Sequence, residues 1–540
     1  MNIAKPLTFW MTVTASILGV IFLLRPSLDG NLRSYKEPTH ARDLPRLAQV
    51  VTEVDRQFRD AWAEAGLQPS AAADEMTLVR RLSLGLVGTV PSTEELRQLV
   101  SIPAGQRVDW WLDQAFSDRR CSDYLAERFA RCFVGTEDGP FLVFRRRRFV
   151  AWLSDQFLGN RPYDQLVREL IQEEGLWTDS PAVNFVTVTN GTNEKDQPDP
   201  ARLAARTTRA FLGVRLDCVQ CHDDHLGGEW RQSDFHQLTA FFAEARSSLV
   251  GISDTPRNYE YQYLGAAESE IVAPQVPFCS DDLPAEGRHR EQLARWVTRS
   301  ENQAFARSTV NRVWALLFGK PLVAPVDNIP LHGPYPAGLQ SLAQDFATHG
   351  FDLQRLIRAI TATEVFRRDS RAAHPLTAAH EEHWAAFPLT RLRPDQVAGA
   401  IIQSASLTTI DSQSHLLWRF LRAIESGEFV QRYGDTGEDE FDGRGGTIPQ
   451  RLVLLNGKLV HERTEVNPIA NAATRIAQLT KDDAQAVRAV YLATLTREPC
   501  ADEVACFAKF LQDQRGEARG QAMQDVAWCL INSAEFAWNH

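Results

Sequence analysis

The sequence predicts a mainly α-helical, two-domain protein carried on an N-terminal transmembrane anchor. Three observations predict it. The chain has 540 residues, too many for one ordinary hydrophobic core, which stops growing near ~250–300 residues. Apolar residues recur every three or four positions through most of it, the spacing of amphipathic helices. The stretch "LTFWMTVTASILGVIFLL", Leu7–Leu24, runs 18 residues without a charge. A helix of that length covers about 27 Å, near the ~30 Å hydrocarbon core of a bilayer.

Residues 1–25 read as a signal anchor, closed by Arg25 and lacking an A-x-A cleavage pattern. A cleaved signal is the alternative. Lys5 and the amino terminus direct the body out of the cytoplasm, into the cell envelope. Residues 26–45 are polar with several prolines and read as a tether. A first helical domain is expected over 46–245. There Val50, Val54, Phe58 and Trp62 form a helical stripe, Ser92 and Glu95 a capping box, and Tyr163, Leu166, Val167, Leu170 and Ile171 a second stripe. Only "VNFVTVT", 183–189, carries the β-branched alternation of a strand.

Residues 246–284 have prolines and no sustained period, and are expected to be a linker. A second helical domain is expected over 285–540. Phe305, Val310, Val313, Trp314 and Leu317 share one helix face, and "GFDLQRLIRAIT" and "DDAQAVRAVYLATL" are further amphipathic helices.

The composition is that of a globular chain, with 44% hydrophobic and 24% charged residues. Its net charge of −11 argues against a nucleic-acid partner, which needs a basic surface. No nucleophile elbow, phosphate loop or dinucleotide fingerprint is present, so hydrolase and nucleotide chemistry lack support.

The chemistry concentrates in "FLGVRLDCVQCHDDHLGGEW", just beyond a helix carrying "ARLAARTTRAFLGV". Cys218, Cys221 and His222 form Cys-x-x-Cys-His, the pattern of c-type haem attachment. Two thiols one turn apart take the vinyl groups, and the next histidine becomes an axial ligand of the iron. Candidates for the second axial ligand are His225, His236, Met76 and Met523. Two other readings stay open. Cys218, Cys221 and His225, with Asp223, Asp224 or His236, suit a zinc-type N/S site. The two cysteines also suit a short disulfide. The other six of the eight cysteines are either disulfide partners or free thiols.

Three further clusters read as surface features. Arg145–Arg148 suit oxyanions such as propionates or sulfates, but consecutive helical residues cannot make one face, so they read as an ion-paired helix start. His380 and His383 are one turn apart without the zinc-protease pattern. The acidic loop 434–446, with Asp435, Glu438, Asp439, Glu440 and Asp442, does not have EF-hand spacing.

Several stretches together resemble a known pair of domains. "VDRQFRDAWAEAGLQPSAAADEMTLVRRLSLGLVGTVPSTEEL", "NRPYDQLVRELI" and "FLGVRLDCVQCHDDH…DFHQLTAFFA" resemble the planctomycete cytochrome-like domain of unknown function. "REQLARWVTRSENQAFARSTVNRVWALLFGKPLVAPVDN", "TIPQRLVLLNGKLV" and "DVAWCLINSAEFAWNH" resemble its C-terminal companion, a planctomycete-specific domain. The resemblance implies an exported, largely helical protein without an established activity, with haem c on Cys218, Cys221 and His222. It also implies electron transfer with a redox partner, or an adaptor role beside secreted sulfatase-like proteins that handle external polysaccharides. Relatives commonly read Cys-His-Asp-His after the second cysteine, whereas this chain has Cys221-His222-Asp223-Asp224-His225, one residue longer. Neither a separate preceding cytochrome module nor a sugar-binding insert between the halves is expected from these motifs.

Overall fold

A computed structural model describes residues 44–137, 146–190, 197–224, 230–437, 441, 446–467 and 471–540. Among the described residues no helix is long and apolar enough to cross a membrane. The anchor stretch Leu7–Leu24 and the tether up to residue 43 lie outside them.

The structure is mainly helical. The first described helix, Leu44–Glu64, buries Val54, Phe58 and Trp62 along the expected stripe. The Trp62 indole donates a 2.8 Å hydrogen bond to the His383 carbonyl, tying this helix to a segment 321 residues later. Helix Thr93–Ser101 starts with the expected box: the Ser92 hydroxyl accepts from the Glu95 amide at 3.1 Å, and Glu95 accepts from the Ser92 amide at 2.8 Å. Two amide donors at the helix start are thereby satisfied.

Helix Gln303–Phe318 is the centre of the fold. Its sequence predicts one apolar face, yet every residue from Ala304 to Phe318 is buried. Helices Glu75–Val87 and Leu339–Thr348 and the turn Thr208–Leu212 pack around it. Trp314 stacks on Phe58 and Phe318, with ring centroids 5.9 and 4.2 Å away, and meets Trp384 edge-on at 5.2 Å. Some of its polar residues find internal partners. Asn311 does, donating to the Val323 carbonyl at 2.8 Å and accepting from the Val323 amide at 3.0 Å.

One expectation is corrected. Residues 183–189 do not form a strand. Pro181–Val183 is a 3-10 turn leading into helix Asn184–Thr187, fully buried, with the Asn184 amide donating to the Pro181 carbonyl at 2.7 Å. A buried backbone must pair its polar groups, and with no strand alongside, this segment pairs them locally; burial overrides β propensity.

Residues 246–284, expected to be a linker, carry two short hairpins. Ala245–Ser248 pairs antiparallel with Gly251–Asp254, and Tyr259–Tyr261 with Glu270–Val272. Arg290, fully buried, clamps the first hairpin: it donates to Asp254 at 2.6 Å and to the Ile171 and Glu173 carbonyls at 3.0 Å. Buried residues on both sides of this segment, Phe211 and Trp314 among them, share one hydrophobic core. A second core gathers Leu84, Val90 and residues from Leu392 to Ala537. Packing thus divides the chain near residue 390.

Candidate functional site

The Cys-x-x-Cys-His turn is built by what precedes it. Helix Pro200–Thr207 begins at Asp199, whose carboxylate accepts from the Ala201 amide at 3.0 Å, and continues as a wider π turn over Thr208–Leu212. Gly213 ends it with φ +62°, a left-handed conformation that glycine adopts without strain. A Cβ there would also lie 3.1 Å from Ile329 and 3.2 Å from Ser308, so the stop is pressed against the central helix. The motif therefore follows a helix end, as its sequence context predicts.

A 3-10 turn, Asp217–Gln220, carries Cys218. Leu216 and Val219 point into the core, while Cys218, Cys221 and His222 are exposed. No disulfide joins any of the eight cysteines, Cys218 and Cys221 included. The Gln220 carbonyl collects three donors: Gln232 Nε2 at 3.1 Å, His236 Nε2 at 3.0 Å and Tyr261 Oη at 3.4 Å. Farther on, the Asp223 carboxylate accepts from the Gln232 amide at 2.8 Å, and the Asp224 amide donates to the Trp230 carbonyl at 3.1 Å.

His236 holds this turn. A carbonyl only accepts, so His236 Nε2 carries the proton, and Nδ1 accepts from the Tyr259 hydroxyl at 2.9 Å. Both ring nitrogens are engaged. The ring stacks on Tyr261 with centroids 3.4 Å apart. Burial depresses its pKa against the opposing Gln220 bond, which favours this neutral tautomer.

The other candidates for the second axial ligand are scattered. Met76 is half-buried against the first core, on helix Glu75–Val87. Met523 is fully buried in the second core, which contains no residue of the motif. His225 lies outside the described residues. His222 Nδ1 contacts its neighbour's carbonyl, that of Asp223, at 2.8 Å. Among the described residues no group of three or more His, Cys, Asp or Glu is arranged to hold a metal ion.

The surface clusters behave as ordinary structure. Arg146 pairs with Glu127 at 2.9 Å and donates to the Gly135 carbonyl at 2.9 Å, while Arg148 bonds the Thr178 carbonyl; Arg145 lies outside the described residues. His380, expected at the surface, is instead buried, with Nδ1 accepting from the Thr377 amide at 3.1 Å. Asp435 pairs with Arg131 at 3.0 Å, whereas Glu438, Asp439, Glu440 and Asp442 lie outside the described residues.

One feature escapes a motif search. Behind the turn is a cavity of about 270 Å³ lined by Arg202, Arg206, Arg209, Arg215 and Arg312, with Asp327 as the one acidic lining residue among the described residues. Arg209 reaches Asp327 at 2.7 Å and the turn's Asp217 at 3.8 Å. Arg202, Arg206 and Arg209 are spaced four and three apart, a helical face visible in the sequence. Arg215, Arg312 and Asp327 come from separate segments that only folding brings together.

Comparison with known families matches two in succession. PSCyt2, described as a protein of unknown function (DUF1549), matches residues 53–247, and PSD1, a protein of unknown function (DUF1553), matches residues 289–422. No curated protein and no solved structure gives a match. The matched stretches flank the two hairpins, so family boundaries and packing cores divide the chain differently. The chain therefore carries a PSCyt2 domain followed by a PSD1 domain, both of unknown function, in the order its motifs suggest.

Proposed function

We propose that this chain is an exported, membrane-anchored carrier of covalently attached haem c that serves electron transfer. The observation that carries the reading is the clamped turn: the Gln220 carbonyl is pinned by Gln232, His236 and Tyr261 while Cys218, Cys221 and His222 remain exposed. Attachment needs both thiols reachable at once on a backbone that keeps its shape, and this turn provides both. Cys218 and Cys221 would hold the group, and His222 would supply the axial imidazole. Each thiol adds its S–H across a vinyl double bond, sulfur to one carbon and hydrogen to the other, so attachment consumes no oxidant. Once bound, haem supplies a one-electron couple. Leu7–Leu24 would deliver the chain to the compartment where attachment occurs.

Expression with a c-type maturation system, followed by a pyridine haemochrome spectrum, tests this. A signal that disappears in the Cys218→Ser/Cys221→Ser double variant supports it, and a wild-type chain without haem rejects it.

A second reading, a non-catalytic adaptor for a secreted, sulfatase-like partner, is favoured by exposed apolar side chains on the hairpins. Leu249 is 100% and Val250 77% exposed at the tip of the first, and Leu264 is 79% exposed beside the second. Co-purification of such a partner that survives the double cysteine variant and is lost in Leu249→Asp supports it. Equal recovery with both variants, or with neither, counts against it.

A further inference from the structure

The arginine cavity behind the motif turn is independent of the haem reading, since Cys218, Cys221 and His222 do not line it. Five guanidinium groups face a volume of about 270 Å³, and Asp327, the one carboxylate among its described lining residues, is already used. It accepts from Arg209 Nε at 2.7 Å and from Arg215 Nε at 2.9 Å. Burial alone would raise the Asp327 pKa, but the hydrogen bonds from Arg215 and Arg209 outweigh it and hold the group ionised. Asp327 thus fixes two of the arginines, and Asp217 lies 3.8 Å from Arg209 at the edge.

Arg312 is the decisive residue. It projects from the central helix, is only 7% exposed and lines the cavity, with no hydrogen bond or ion pair among the described residues. A buried cation without a partner is costly, and proteins normally pair it. Nor is it sealed into the core: its nitrogens are absent from the unpaired side-chain atoms closed off from solvent. Arg202, at the outer edge, also has no side-chain partner among the described residues. Arg206 is oriented by donating to the Phe133 carbonyl at 3.0 Å. Guanidinium groups converging from several directions suit the oxygens of a tetrahedral anion, which accept paired N–H donors.

We propose that this cavity binds a small, multiply charged tetrahedral oxyanion, phosphate or sulfate, either free or as a monoester. The volume lies just below the ~300–1,000 Å³ of typical ligand pockets, so the ligand is an ion or an ion carrying one small group. Cys132, Ala205, Ala210, Pro325 and Val326 supply the less polar wall against which such a group would rest. Arg312, Arg202 and Arg206 are the binding residues, and Asp327 positions Arg209 and Arg215.

The test is calorimetric titration of the full chain with inorganic phosphate, inorganic sulfate, phenyl phosphate and phenyl sulfate, at constant ionic strength. Saturable binding at about 1 mM or below is expected for at least one of the four. Tighter binding of the phenyl compounds identifies an ester as the ligand, and tighter binding of the inorganic ions identifies the free anion. Arg312→Met should weaken binding about tenfold or more, the loss expected when one charged hydrogen-bonding partner is removed. Arg202→Gln, at an exposed position that does not endanger folding, should weaken it about threefold, more at low salt than at high. No binding of any of the four, or wild-type affinity in Arg202→Gln together with any folded Arg312→Met protein, overturns the proposal.

Discussion

His236 Nε2 donates a 3.0 Å hydrogen bond to the carbonyl of Gln220, the residue immediately before Cys221. A side chain from the helix after the motif thereby fixes the backbone between its two cysteines. The bond is backed by the Tyr259 hydroxyl on the far ring nitrogen and by Tyr261 stacked on the ring face.

Removing that bond should loosen the turn without unfolding the chain. His236→Phe keeps the ring stack but leaves the Gln220 carbonyl and the Tyr259 hydroxyl each short of a partner. A loss of about 1–3 kcal/mol is expected, read by chemical denaturation. Cys218 and Cys221 should also react faster with a thiol reagent than in the wild type. An unchanged labelling rate would show that His236 does not hold the turn.

The same residue gives a pH dependence. Burial sets the folded pKa of His236 below its ordinary 6.5, so the unfolded chain binds the proton more readily. Its contribution to stability is complete above pH 6.5 and is lost as pH falls through the depressed folded value. The Tyr259 phenol is pushed upward, first by burial, and stays a donor throughout this range. Denaturation midpoints measured from neutral to mildly acidic pH should fall in the wild type and fall less steeply in His236→Gln.

Near the C-terminus Arg497 grips two carboxylates. It reaches Glu503 at 2.8 Å through both terminal nitrogens, and Glu535 at 2.5 and 2.7 Å. The Arg497 hydrogen bond lowers Glu503 from 4.5 to about 2, against the opposing effect of burial. Burial alone would raise Glu535, yet bonds from Arg497 and His540 hold it far below the usual carboxylate range. With both folded values depressed, the stability they contribute is complete above pH 4.5 and is lost as pH falls through about 2 and below. Arg497→Met should cost about 1–3 kcal/mol at neutral pH and flatten the acid limb of the stability profile.

Trp314 tests the first core. It sits among Phe58, Phe318 and Trp384 and is completely buried. Trp314→Ala should cost about 3–5 kcal/mol by denaturant titration. Because one core spans both sides of the 246–284 hairpins, proteolysis should then become faster on both sides of that segment together. Faster cleavage on one side alone would separate the two halves energetically.

What the sequence revealed and what it concealed have physical causes. The Val54–Phe58–Trp62 stripe and the Ser92–Glu95 box are local patterns, and local patterns survive into the fold. The 183–187 helix was hidden because its β-branched residues were enclosed on all sides, where no strand lay beside them to pair with. The hairpins over 245–272 were hidden because strands of three or four residues are too short to show a period. At the candidate site, Cys218, Cys221 and His222 were legible from spacing alone. The role of His236 was not, because it depends on Gln220, Tyr259 and Tyr261 meeting one ring. The arginine cavity was half legible: Arg202, Arg206 and Arg209 announce a face, but nothing local brings Arg312 to it.

The most direct measurement is the intact mass of the chain recovered from its native cells, taken alongside its visible absorption spectrum. The account predicts a mass larger than the polypeptide by one haem, with the absorption of a thioether-linked porphyrin. A colourless chain with the mass of the bare polypeptide would contradict it.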